Sequence, residues 1–221
     1  SKIIPLIALP KLGVSRIQPR NREQRFALNL LLQDSIKLVT LVGKAGTGKT
    51  LLAIAAGLQK VADEKLYNRL LISRPVVPMG KDIGYLPGDI NDKLTPWMQP
   101  LYDNFDLIFR TQDISEKPGH WRRGHEELIE MGILQIEPLT YIRGRTIPQQ
   151  FLIIDEAQNL TPHEVKTIIT RAGEGTKIVL TGDPDQIDHP YIDAASNGLT
   201  YVVERFKHEP IAGHITLFKG E

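Results

Sequence analysis

Along this chain apolar residues at helical spacing alternate with short, continuous apolar runs, and that alternation predicts its architecture. From Asn21, a good N-cap, Phe26, Leu28, Leu30, Leu31 and Leu32 form an apolar stripe that predicts a helix ending near Asp34. Residues 37–42 are rich in β-formers and run into a glycine loop, after which Leu, Ala and Ile at helical spacing predict a helix over 50–62. A second buried strand is predicted over 69–73. It leads into Arg74-Pro75-Val76-Val77-Pro78-Met79-Gly80, where two prolines forbid both a helix and a central strand, so a loop is expected. Residues 84–88 continue irregularly, 92–109 read as helix once past Pro96 and Pro100, and 126–131 read as helix again.

The second half is plainer. Residues 133–136, 151–154 and 177–180 are short, continuous apolar runs bounded by turn signals, as expected of parallel strands buried on both faces. Between the last two a helix start is written out: Thr161 can cap it, Pro162 suits its first position, and Glu164 completes a T-x-x-E capping box. A helix over 197–206 and a strand over 214–218 close the pattern. Strands alternating with helices predict an α/β fold, a central mainly parallel sheet with helices on both faces. Residues 1–20, with Ile3, Pro5, Leu6, Pro10 and Gly13 in no regular pattern, read as a linker-like segment, leaving 21–221 as one domain. A chain of 221 residues suits one sizeable core.

Composition narrows the class. Apolar residues make up 41% and charged residues 24%, the mix of a globular protein. With no cysteine, neither a disulfide framework nor a thiolate metal site is possible, and the six histidines include no H-x-x-x-H pair. No apolar stretch approaches the ~20 residues of a membrane span, and Ser1 opens no signal-peptide pattern, so a cytoplasmic location is expected. The net charge of +1 gives no overall attraction to polyanions. Any nucleic-acid contact must therefore come from local basic clusters.

The candidate chemistry begins at Gly43-Lys44-Ala45-Gly46-Thr47-Gly48-Lys49-Thr50, which matches G-x-x-x-x-G-K-T. Glycines let successive N–H groups curl around one anion, and the following helix adds partial positive charge. Lys49 would place its ammonium on the β and γ phosphates of ATP, and Thr50 would offer a hydroxyl to Mg²⁺. An acidic partner is expected where the buried run 151–154 ends, at Asp155-Glu156. Asp155 would hold Mg²⁺ through water; Glu156 would polarise the attacking water, a role worth ~10²- to 10⁴-fold. The structural alternative is a solvated strand end. Gln186, in Gly182-Asp183-Pro184-Asp185-Gln186, follows the next strand and could sense the γ-phosphate from the rim where open α/β sheets bind ligands, although alone this segment is only a turn.

Taken with Ser73-Arg74-Pro75-Val76, Gly84-Tyr85-Leu86-Pro87-Gly88-Asp89, Tyr102-Asp103, Tyr141-Ile142-Arg143-Gly144-Arg145-Thr146 and Asp155-Glu156-Ala157-Gln158-Asn159, these motifs resemble a superfamily-one helicase core and, more closely, the PhoH family of ATPases. The resemblance spans roughly 20–218. It implies a RecA-like P-loop NTPase fold, an ATP-hydrolysing motor that acts on single-stranded RNA, and a homo-oligomeric, hexameric ring. The version of the family most resembled carries a PIN ribonuclease domain upstream; no PIN-type acidic cluster occurs in this chain, so nuclease activity is not expected from it.

The resemblance also assigns individual residues. Asn21, Gln24 and Ala27 resemble the adenine-reading Q motif, and the Gln24 amide can donate and accept at once, although one amide on a helix is usually just solvated. Arg74 falls where helicases contact the nucleic-acid backbone. Arg122, Arg123 and His125 beside Trp121 could pair phosphate contact with base stacking, or Trp121 could simply be a core anchor. Helicases of this superfamily complete their site with arginines from a second RecA-like domain, for which this chain has no room. Arg143, Arg145 or Arg171 of a neighbouring subunit is expected to serve instead; the alternative is that Arg143 and Arg145 pair with local carboxylates. Two rival functions remain at this point: an ATP-dependent switch that binds protein partners, and a small-molecule kinase.

Overall fold

The structure, a computed structural model, describes residues 5–76, 90–110, 124–142 and 144–220, with side chains described from residue 97 onward in the second stretch. The segment 77–89, Trp121, Arg122, Arg123 and Arg143 lie outside the described residues. Helix α1 (Arg22–Leu32) leads into strand β1 (Leu38–Gly43), helix α2 (Lys49–Leu58) and strand β2 (Arg69–Arg74). Helices α3 (Ile90–Arg110) and α4 (His125–Glu130) precede strand β3 (Leu134–Pro138) and strand β4 (Gln150–Ile154). Helix α5 (Pro162–Ile169), strand β5 (Lys177–Gly182), helix α6 (Gly198–Phe206) and strand β6 (Ala212–Leu217) complete the order.

All described strand pairings are parallel, in the order β3-β2-β4-β5-β1-β6. Strand β5 therefore lies between β1, which feeds the glycine loop, and β4, which delivers Asp155. Because strand side chains alternate between faces, the sheet divides its apolar residues into two cores. Val39, Leu41, Leu70, Ile72, Phe151, Ile153 and Val179 pack on one face with α1, α2, α3 and α4. Leu38, Leu71, Leu152, Ile154, Ile178 and Leu180 pack on the other with α5 and α6. Each central strand is buried on both sides, which is why the sequence shows continuous apolar runs there and no period-two pattern.

Local starts follow their sequence signals. The Asn21 side chain accepts from the Gln24 N–H at 2.8 Å, and Thr161 and Glu164 form both halves of the capping box. Two elements differ from expectation. Helix α3 begins at Ile90 and carries Pro96 and Pro100 within it, where only residues past the prolines were expected to be helical. Each proline removes one N–H from the helix ladder; burial of Met98, Leu101, Phe105 and Ile108, spaced three, four and three apart, offsets that loss. Residues 5–20 lie against the domain. Val14 and Ile17 join the first core, the Ile7 N–H donates to Asn29 Oδ1 at 2.8 Å, and the Ser15 hydroxyl donates to the Ala55 carbonyl at 2.9 Å.

Candidate functional site

All six described strands point their carboxyl ends to one rim, where open α/β sheets gather ligands. Strand β1 ends there at Gly43, and the chain curls through 44–48 before α2 begins at Lys49. Two glycines are required by geometry. A Cβ at Gly43 would stand 2.4 Å from the Leu217 carbonyl oxygen of β6, and Gly48, at φ 85°, caps α2 in the left-handed region. No side chain caps this helix start. Its N–H groups and its positive dipole end lie beside a cleft of about 540 Å³ lined by Ala45, Gly46, Gly48, Lys49 and Thr50.

The loop braces itself: the buried Thr47 hydroxyl donates to the Lys44 carbonyl at 2.8 Å. The Lys49 ammonium donates to the carbonyls of Gly43 at 2.6 Å and Lys44 at 2.9 Å. Burial pulls its pKa below the ordinary value, while Asp183, Glu156 and Asp155 pull the other way. The cation is thus held in a half-dry position by two backbone carbonyls, with three acidic groups near enough to favour its charge. A phosphate arriving there would meet a charge already in place.

Strand β4 brings Asp155 to the loop. The Thr50 hydroxyl donates to Asp155 Oδ1 at 2.7 Å, and the Thr181 hydroxyl of β5 donates to the same oxygen at 2.6 Å. This small cluster of oxygens on two strands and a helix start suits a hard divalent cation, which prefers oxygen. Among the described residues no group of three or more His, Cys, Asp or Glu side chains could cage a metal.

Glu156 follows at φ 55°, a left-handed conformation uncommon for a residue with a Cβ. Its Oε2 accepts from Gln158 Nε2 at 2.5 Å, and its Oε1 lies 3.4 Å from the Arg74 guanidinium. The same Gln158 amide donates to the Gln186 carbonyl at 2.8 Å and accepts from the Asp183 N–H at 3.1 Å. One buried amide therefore ties the ends of β4 and β5 together.

Gln24 is buried, and its side chain joins the N-terminal segment to the loop: Oε1 accepts from the Arg20 N–H at 2.8 Å and Nε2 donates to the Thr47 carbonyl at 3.2 Å. One donor and one acceptor position on the amide remain for a ligand. Arg16, Ile17, Gln18 and Arg20 form the wall of the cleft beside it. The Gln186 side chain is exposed, and its backbone carbonyl takes the Gln158 contact. Arg145 is paired with Glu137 of β3 at 3.3 Å. That edge strand is four strand spacings from β1, roughly 19 Å at ~4.8 Å each, so Arg145 stays remote from the loop of its own chain. Arg171 is half-buried, and among the described residues its Nε has no hydrogen-bond partner.

Sequence reasoning gave no role to Gln158, Thr181 or Asp183, although the resemblance had quoted Gln158 and Asp183 within motifs. Their available signal was position, each at or just past the carboxyl end of a buried strand.

Comparison with known proteins bears on the fold and the family. Residues 16–221 match the family of PhoH-like proteins. The chain is 60% identical over 205 residues to Protein PhoH2 of Bacillus subtilis (strain 168), an alignment covering 93% of this chain and 45% of that protein. It is 38% identical over 170 residues to a PhoH-like protein of the same organism, covering 77% of this chain and 49% of that one. The chain spans about half the length of the curated relatives it matches. Among solved structures, the UvsW helicase from bacteriophage T4 superposes with a TM-score of 0.50 at 14% identity, over 98% of this chain and 64% of that one, a likeness of fold. The fold is that of a RecA-like P-loop NTPase, and the chain belongs to the PhoH family.

Proposed function

We propose that this domain binds ATP as its magnesium complex and hydrolyses it, coupling the cycle to movement along or remodelling of single-stranded RNA. The observation that carries the reading is the 2.7 Å contact between Thr50 and Asp155. It brings the phosphate loop of β1 and the acid of β4 to one point, although β5 separates the two strands. The loop N–H groups and Lys49 would bind the triphosphate, and Gln24 with the wall of residues 16–20 would face the base. Bound Mg²⁺, held by Thr50 and, through water, by Asp155, would neutralise phosphate charge. Glu156 would accept a proton from the attacking water, and Gln158 fixes one of its oxygens. Gln186 would follow the state of the γ-phosphate.

Arg145 belongs to this proposal as a residue acting on a neighbouring subunit. It lies on the ligand rim but at the far edge of the sheet, and its side chain is 41% exposed in its pairing with Glu137. In a hexameric ring that edge, with Arg143 beside it in sequence, would approach the next subunit's γ-phosphate. The longer relatives leave length for a further domain, which the resemblance assigns to a PIN ribonuclease.

The test is steady-state ATP hydrolysis by the wild type and Lys49→Ala, with and without poly(U), at several salt concentrations. Activity lost in the variant and stimulated by poly(U), with stimulation fading as salt rises, supports the reading. Hydrolysis indifferent to poly(U) would favour a switch that binds proteins, and a phosphorylated small molecule in the products would favour a kinase.

A further inference from the structure

The phosphate loop supplies only the floor of the cleft. Gly46, Gly48, Lys49 and Thr50 line it there, whereas its walls come from two elements outside the loop: the segment 16–20 and helix α3, which brings Asn104 and Leu107. These walls arrive from opposite sides of α2. On that face of the sheet α1 packs over β6 and β1, α2 over β1, β5 and β4, and α3 against α2 away from α1. The segment that ends in residues 16–20 comes in from the α1 side, where the Ile7 N–H holds to Asn29 of α1 and the Ser15 hydroxyl to Ala55 of α2.

Each wall offers one residue suited to a flat ring. Val14 and Ile17 exchange N–H to carbonyl bonds at 3.0 and 2.9 Å and are buried in the first core, so the turn between them is fixed. Arg16 sits in that turn at φ 66°, an uncommon conformation for a residue with a Cβ, and is left half-buried at the cleft. Conformations of this kind persist where the surroundings hold them, and they gather at ligand sites. On α3, Leu101, Phe105 and Ile108 turn into the core, while Leu107 stays 49% exposed on the flank that lines the cleft. One exposed leucine is ordinary on a protein surface. A leucine and an arginine on facing walls of one cleft are complementary to an aromatic ring, whose two faces accept apolar contact and a cation.

We propose that Arg16 and Leu107 grip the two faces of the adenine ring and are specificity-determining residues for a nucleotide over a bare polyphosphate. The loop N–H groups and Lys49 take the phosphates, so the ring falls to the walls beyond them. A planar guanidinium stacks on one face of the ring, and the leucine covers the other. Gln24 keeps a different task, since its amide has a donor and an acceptor left for the ring edge. Faces and edge are thus served by three elements, the segment before α1, α1 itself and α3. This inference rests on the nucleotide-binding reading above and deepens it by dividing that site into a phosphate part and a base part.

The experiment is displacement of a fluorescent ADP analogue by ADP and by pyrophosphate, without added metal, from wild type, Arg16→Ala and Leu107→Ala. Urea unfolding of each protein checks the fold, and Arg16→Asn, which tolerates positive φ, carries the arginine test if Arg16→Ala does not fold. Each variant is expected to weaken ADP by roughly 3- to 10-fold, the loss of one ring-face contact. Pyrophosphate, which has the same phosphates and no ring, should stay within about twofold of wild type in both. ADP affinity unchanged in either variant overturns the proposal, and so does a loss of pyrophosphate affinity as large as the loss of ADP affinity, which would make these residues phosphate ligands or supports of the loop. A wild type that binds neither the analogue nor pyrophosphate overturns the nucleotide-binding reading itself, and this inference with it.

Discussion

Replacing Lys177 by Met tests a costly placement of charge. Lys177 starts β5, is fully buried, and donates to the carbonyls of Gln33 at 2.8 Å and Leu30 at 3.1 Å, closing the end of α1. Desolvation lowers its pKa from 10.5 to about 7; Asp34 pulls it up, and Lys60 and Lys37 push it further down. A neutral amine still has two hydrogens for the two carbonyls, so both contacts survive loss of the proton. The folded pKa lies below the unfolded one, so between about pH 7 and pH 10.5 the unfolded chain carries one more proton at this residue. Stability from Lys177 therefore rises with pH across that window and is flat below it, where both states are charged. Half the folded molecules are already neutral at the midpoint, so the gain from pH 7 to pH 9 integrates to about 2 kcal/mol. Urea unfolding of wild type and Lys177→Met at pH 7, 8 and 9 measures it. The wild type should gain about 2 kcal/mol relative to the variant over that range. Parallel stability curves would show that the ammonium stays charged inside the fold and would refute the reasoning.

Three further outcomes are expected. Thr161→Ala removes one half of the capping box of α5 and should cost about 1 kcal/mol by urea unfolding, with nucleotide binding unchanged. Thr181→Val deletes one of two hydroxyls on Asp155 Oδ1; the Mg²⁺ concentration for half-maximal hydrolysis should move several-fold while the ADP-analogue Kd without metal stays put. Arg145→Ala should leave ADP-analogue binding intact but abolish most hydrolysis, and mixing it with an excess of Glu156→Gln subunits should restore some activity if the arginine acts across a subunit boundary.

Legibility from sequence followed the range of the interactions involved. The runs over 151–154 and 177–180 announced buried parallel strands because both faces of β4 and β5 are covered. Thr161, Pro162 and Glu164 announced α5 because a capping box is completed within four residues. The glycine loop was legible for the same reason. The position of β5 between β1 and β4 was not, since strand order is decided by packing between distant segments. Residues 14–17 form a two-residue hairpin with Ser15 and Arg16 both at positive φ, a turn usually written Asn-Gly, so no local signal separated this packed segment from a linker. Prolines 96 and 100 argued locally against helix and were overruled by the apolar face that α3 buries. Gln158 had no readable role because its three partners come from residues 156, 183 and 186, which only the sheet brings together.

The most direct measurement is the location of Mn²⁺, in place of Mg²⁺, in crystals of this chain grown with a non-hydrolysable ATP analogue. One ion is expected beside the Thr50 hydroxyl with Asp155 reaching it through water, and the γ-phosphate against Lys49. An analogue seated away from residues 43–50, or an ion with neither Thr50 nor Asp155 in its surroundings, would contradict it.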